Sequence, residues 1–227
     1  MRDSKSNAAI VLLFLVSTAP LVAQPAISDA ALHPMTEVRF DFARVGIPVP
    51  KFALDINDDG AGTYTAVDNS SGQPQQVHRD FTLTSATTQR IFTLARAVRM
   101  DTCASKAKNI ADTGTKTLTY IASGTTSSCT YNYTEVKDLD ALTNIFQGIA
   151  ETMDQGRRLD FLHRFDRLGL DDAIAFLSQE ISSGRAIEVG IIESSLRSIA
   201  ADAEVMQRVR TKAAALLALI PPASASR

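Results

Sequence analysis

The chain has 227 residues, enough for one large domain or two small ones, and at 45% apolar it can bury a proper core. Charged residues are 21% and the formal net charge is -2, so the basic excess that phosphate binding needs is missing and no nucleic acid partner is expected. There is no Trp and aromatics are only 6%, which argues against an aromatic platform for sugars or bases.

Residues 1–23 read as a secretory signal peptide. Arg2 and Lys5 form a short charged region, Ala8 to Val16 is an apolar stretch, and Leu21-Val22-Ala23 is a small-residue cleavage site just before Gln24. The expected mature chain begins at Gln24 and is exported, either periplasmic or secreted. No later run approaches the roughly 20 apolar residues of a membrane span, so no transmembrane helix is expected in the mature chain.

Residues 24–50 carry Pro25, Pro34, Pro48 and Pro50 and read as a linker. Within it, Val38, Phe40 and Phe42 alternate with Arg39 and Asp41, which predicts one edge strand over Glu37 to Ala43. A hairpin follows: Phe52, Leu54 and Ile56 alternate, Asn57-Asp58-Asp59-Gly60 turns the chain, and Gly62 to Val67 returns. Asp68 to Gln76 has loop composition, and Val77 to Thr84 is a further strand. Ser85 is the expected N-cap of a helix that buries Ile91, Leu94, Ala95 and Val98.

Cys103 lies beyond that helix and Cys129 is its only possible partner. In an exported chain this pair predicts a disulfide, which on the chain-entropy account adds roughly 3–4 kcal/mol of stability. A redox pair or a metal site is the weaker reading, because the cysteines lack C-x-x-C spacing and zinc needs four ligands. Lys106 to Gly114 reads as a loop. Lys116 to Ile121 and Cys129 to Tyr133 read as paired strands joined by a Ser, Gly and Thr link over Ala122 to Ser128.

From Asp138 onward the strand signal stops. Leu139, Leu142, Ile145, Phe146, Ile149 and Met153 share one helical face, and Gly156 is expected to end that helix. Four more helices are predicted: one marked by Leu159 to Leu168 and closed by Gly169, one opened by Asp171 and Asp172 and closed by Gly184, one on Ile187 to Ile199, and one capped by Asp202 and stopped by Pro221 and Pro222. The predicted fold class is α+β: an antiparallel sheet of about five strands with two packed helices over 51–155, then an all-α helical array over 156–220. The helical block, Leu159 to Ile220, is the expected interaction surface: acidic and basic residues balance along it, so recognition would rest on apolar grooves left exposed, the alternative being that the same stripes are all core.

The order ββ, β, α, ββ, α carries Gly62-Thr63-Tyr64, Phe81 to Ser85 and Gly114-Thr115-Lys116. In this order Lys51 to Met153 resembles a family of small exported bacterial domains of unknown function. The resemblance covers under half of the chain; it implies an order of elements and carries over no activity, cofactor or site.

One stretch begins like a calcium loop. In Asp55-Ile56-Asn57-Asp58-Asp59-Gly60, Asp55, Asn57 and Asp59 stand at ligand positions one, three and five, with Gly60 at six. The match then fails, since Ala66 stands where a bidentate Glu should close the site, and Gly62 takes a position that is normally apolar. A tight hairpin turn is the expectation, and no metal or other cofactor is assigned. The histidines, His33, His78 and His163, form no metal motif; His163, between Asp160 and Asp166, reads as part of a solvated helix face. No nucleophile elbow and no Gly-rich phosphate loop is present. The expected function is therefore an exported, non-enzymatic binding or envelope-associated module whose partner is a protein or an envelope component. The alternative is an extracytoplasmic hydrolase whose acids, such as Asp55, Asp58 or Asp59, meet only in the fold.

Overall fold

The alternation of Val38, Phe40 and Phe42 with Arg39 and Asp41 sets the centre of the sheet, as a computed structural model of the chain shows. It describes residues 36–70, 72–103 and 111–221. The predicted signal peptide, His33, the first part of the linker and most of the Lys106 to Gly114 loop lie outside the described residues.

Six strands and five helices follow in chain order: β1 (Glu37–Ala43), β2 (Lys51–Asn57), β3 (Ala61–Asp68), β4 (Gln75–Thr82), α1 (Ser85–Ala97), β5 (Thr115–Ala122), β6 (Thr125–Tyr131), α2 (Lys137–Phe165), α3 (Leu170–Ser182), α4 (Glu193–Ala201) and α5 (Gln207–Leu217). Short 3-10 turns, Arg167–Gly169 and Val189–Ile192, lead into α3 and α4. The fold is α+β, with one antiparallel sheet of order β4-β3-β2-β1-β5-β6.

The sheet has six strands where about five were expected, and β1 is an inner strand where an edge was expected. It pairs with β2 on one side, Phe40 opposite Leu54, and with β5 on the other, Phe40 opposite Leu118. The reason is burial: Val38 and Phe40 are fully buried, and only an inner position covers them on both flanks. The segment read as a linker thus supplies the middle of the sheet. The link between β5 and β6 also shortens, to Ser123-Gly124, both at positive φ, because Thr126, Ser127 and Ser128 continue the ladder opposite Ile121, Tyr120 and Thr119.

Helices α1 and α2 cover one face of the sheet. The cap of α1 is Thr84, one residue before the expected Ser85; its hydroxyl accepts from the Thr87 N–H. Ile91, Phe92 and Ala95 of α1 join Phe40, Leu54, Ile56, Tyr64 and Leu118 in the first core. Phe146 of α2 stacks on Phe40 with ring centroids 4.9 Å apart. Cys103 and Cys129 are disulfide-bonded with Cα atoms 6.3 Å apart, which ties the chain just after α1 to β6.

Helix α2 runs for 29 residues, straight through the expected break at Gly156 and through the boundary placed between 155 and 156. Gly156 serves close packing: a Cβ there would lie 2.3 Å from Cγ2 of Ile192. The residues read as a separate second helix are therefore the far half of α2. Its Leu159 enters a second core with Ile174, Leu177, Ile192, Leu196, Ile199 and Val209 from the later helices. Most of the apolar stripes of the helical block are spent in this core. Asp202 does not cap α5, whose N-cap is Met206; it follows α4 instead, and its Oδ1 accepts from the Glu204 N–H at 2.9 Å.

Candidate functional site: the open face of the sheet

Because side chains alternate along a strand, each strand that buries one phase against the helices turns the other phase outward. In register, the outward phase places Asp80, Thr63, Asp55, Arg39, Thr119 and Ser128 in one row across all six strands, and His78, Thr65, Ala53, Asp41, Thr117 and Thr130 in the next. This face is hydroxyl-rich and mixed in charge, and no helix among the described residues packs on it.

Two open hollows indent the face. One, of about 410 Å³, is lined by Arg39, Asp41, Lys51, Thr65, Gln76, Thr115 and Thr117 among others. The other, of about 540 Å³, is lined by Glu37, Asp55, Asn57, Thr63, Asp80 and Thr82 together with Ala61, Gly62 and Phe81. The first mixes bases, an acid and hydroxyls with apolar residues such as Phe52, Ala53 and Val67, whereas the second is acidic. Arg39 stands between them, its Nε 3.2 Å from Asp41 Oδ2 and 3.4 Å from Asp55 Oδ1. Burial pushes the Asp55 carboxyl above its ordinary value; Arg39 pulls against that and Asp41 adds to it.

The three residues of the partial calcium loop separate here. Asp55 and Asn57 line the acidic hollow, while Asp59 turns back and its Oδ1 accepts from the Ala61 N–H at 2.8 Å, as a turn-forming Asp does. Gly60 supports that turn at φ +90°. Asp58 is exposed on the turn, and its N–H donates to the Thr36 carbonyl. Among the described residues, no three His, Cys, Asp or Glu side chains gather at metal-binding distance.

The histidines fall apart as well. His78 is on the open face, 3.6 Å from Asp80, with both side chains exposed. His163 faces neither Asp160 nor Asp166: its Nε2 lies 2.9 Å from Asp202 Oδ2, and Arg167 reaches the same carboxylate at 3.2 Å. The hydrogen bond from His163, the backbone N–H of Glu204 and Arg167 together hold the Asp202 carboxyl below its ordinary value.

Three polar clusters give no sign of themselves in local sequence. Arg157 of α2 donates to Asp68 Oδ2 at 2.7 Å and lies 3.3 Å from Asp154 Oδ1, which also accepts from the Tyr64 hydroxyl at 2.9 Å. Burial dominates there: it raises the Tyr64 hydroxyl and the Asp154 carboxyl, whereas at Asp68 the bonds from Ser70 and Arg157 outweigh burial and lower it. Lys116 is buried and donates to the carbonyls of Thr113, Gly114 and Asn132 and to the Thr113 hydroxyl. Glu188 reaches 104 positions back: it accepts from the N–H and hydroxyl of Thr84, at 3.0 and 2.7 Å, and from the Thr87 hydroxyl. All three clusters pin the chain together and leave the open face as the unspent surface. The alternation of Arg39 and Asp41, of Thr63 and Thr65, and of Thr115, Thr117 and Thr119 is the sequence signal that marks it.

No protein-family model matches the chain, and no curated protein is similar to it in sequence.

Proposed function

We propose that the protein is an exported, non-enzymatic binding module that holds an envelope protein or another polar envelope polymer across the open face of its sheet. The observation that carries this reading is the face itself: six strands wide, hydroxyl-rich, indented by two hollows, and left bare by the helices of the described residues, which cover the opposite side. A polar ligand lying across the strands meets rows of Thr hydroxyls with Arg39, Asp41 and Lys51 to fix its register. Export is supported by the Cys103–Cys129 bond, which persists in oxidising compartments, together with the N-terminal targeting pattern. The same reading agrees with the resemblance of Lys51 to Met153 to small exported domains.

The test is recovery of partners from the organism's own envelope extract by the wild-type protein and by Thr65→Arg/Thr117→Arg, a pair that fills the mixed hollow without touching the core. The proposal expects a partner that the wild type retains and the variant loses at an unchanged melting temperature. Equal recovery by both overturns it.

One observation favours the hydrolase reading: Asp55, its carboxyl raised by burial, stands on the wall of an acidic hollow with Glu37 and Asp80, as a general acid would. A broad hydrolase screen on the same preparation decides it. Turnover abolished by Asp55→Asn replaces the binding reading with the enzymatic one.

A further inference from the structure

The far end of α2 carries a second surface of a different kind. Phe161, Phe165 and Leu168 are 60%, 65% and 79% exposed, among the most exposed large apolar side chains of the described residues. Phe161 and Phe165 stand on the last turns of α2 and Leu168 on the 3-10 turn that follows, and neither of the two hollows of the sheet adjoins them. The rings of Phe161 and Phe165 lie 5.1 Å apart, one helical turn from each other.

The charges around them are sorted. Arg158, Phe161 and Phe165 fall on one helical face, at spacings of three and four residues, and Arg164 sits at its border with its guanidinium 5.1 Å from the centre of the Phe165 ring. Arg158 and Arg164 make no ion pair among the described residues. The acids nearby are engaged or turned away. Asp160 pairs with Arg79 at 3.3 Å, and Asp166 folds back towards Gly169, where a Cβ would lie 3.2 Å from its Oδ2. Arg167, the third base, is held by Asp202.

We infer that this helix end is a membrane-contact surface that inserts Phe161, Phe165 and Leu168 into the headgroup region of an anionic bilayer, with Arg158 and Arg164 against the lipid phosphates. A protruding apolar tip with unpaired arginines at its border matches a lipid interface, where the rings leave water and the guanidinium groups stay among the headgroups. A protein partner would instead have to supply its own groove. The surface is separate from the sheet face, and the inference stands or falls without that reading.

The chain has no Trp, so Phe161→Trp in the full-length protein makes a single reporter at the tip. This local readout separates the tip from the apolar N-terminal stretch, which can bind vesicles by itself. With phosphatidylglycerol–phosphatidylcholine vesicles its emission should move to shorter wavelength, and with phosphatidylcholine alone it should stay near its value in buffer. Adding Phe165→Ser and Leu168→Ser should weaken the vesicle-induced shift at least about tenfold, and circular dichroism should show the fold unchanged, since both positions are exposed. No shift on anionic vesicles, or an equal shift on neutral ones, overturns the inference. So does a shift that develops with protein concentration alone, which would mean that a second copy covers the tip.

Discussion

The sheet half and the helical block bury their apolar residues by opposite means. In the sheet half, one face carries nearly all the burial, with Phe40, Leu54, Tyr64 and Leu118 under α1 and α2, and among the described residues no helix covers the other face. In the helical block the apolar positions of four helical segments close on one another around Leu159, Leu177, Leu196 and Val209, and the outside is laced with ion pairs such as Arg185–Glu180 and Lys212–Asp171. The carboxylates register the same contrast. Burial raises Asp55 on the open face and Asp154 under the sheet, and among the described residues only Asp68 at the end of β3 is lowered there, by Ser70 and Arg157, whereas bonds from Lys212, Arg185 and His163 lower Asp171, Glu180 and Asp202 among the helices. A sheet with one covered face has surface to spare for recognition; a closed helical cluster has less, and among the described residues the most exposed part of it is at the tip of α2.

The two halves nonetheless share α2, whose first half belongs to one core and whose second half to the other. Ending the chain at Asp154 should therefore have the largest effect. It removes Arg157, which bridges Asp68 and Asp154, and Glu188, which braces the Thr84 cap of α1, and it cuts α2 in the middle. The shortened chain is expected to aggregate or to melt without cooperativity. A soluble domain with a sharp transition would break the comparison at its root.

Gly156→Ala sharpens it. In an ordinary helix this change gains about 1 kcal/mol from propensity. Here the new methyl meets Ile192 at 2.3 Å, so a net loss of about 1–3 kcal/mol in denaturant unfolding is expected. Ile192→Ala in the same chain should relieve the clash and make the Gly156→Ala change favourable again.

Glu188→Ala comes next, at about 1–2 kcal/mol, since it removes the charged hydrogen bonds that brace the Thr84 cap and Thr87 from the other half. Glu188 holds a left-handed backbone, φ 56°, which a non-glycine residue adopts at a cost of about 1–3 kcal/mol. Glu188→Gly thus relaxes the backbone while losing the bonds to Thr84 and Thr87, and should cost less than Glu188→Ala.

The smallest effect is on pH dependence. Carboxyls lowered in the folded chain add stability above their unfolded values near pH 4, and that stability is lost as pH falls through the folded values. This applies to Asp171, Glu180 and Asp202. Asp55 and Asp154 have raised values, so their penalty applies at higher pH and is relieved on acidification. Urea midpoints measured from pH 7 to pH 3 should therefore fall less steeply for Asp171→Asn/Glu180→Gln than for the wild type, and more steeply for Asp154→Asn.

These effects also mark what was legible in the sequence. The strands and helices were, because alternation in Val38 to Phe42 and helical spacing in Leu139 to Met153 are local patterns. The disulfide was too, from the count of cysteines. The order of the strands was not: Pro-rich flanks pointed β1 to an edge, while the burial that draws it to the centre depends on β5, some 70 residues on. Gly156 misled for a similar reason, since a glycine that ends a helix and one that admits a neighbour look alike until Ile192 is in place. For the open face, the outward Thr, Arg and Asp positions could be read strand by strand. Their joining into rows, and the parting of Asp55 from Asp59, needed the register.

The most direct measurement of the shared helix is native-state hydrogen exchange along α2. If one continuous helix serves both cores, amides of Ile149 to Met153 and of Leu159 to Leu162 should exchange through the same global opening, with equal protection free energies. Two distinct levels of protection, with a step at Gly156, would contradict it.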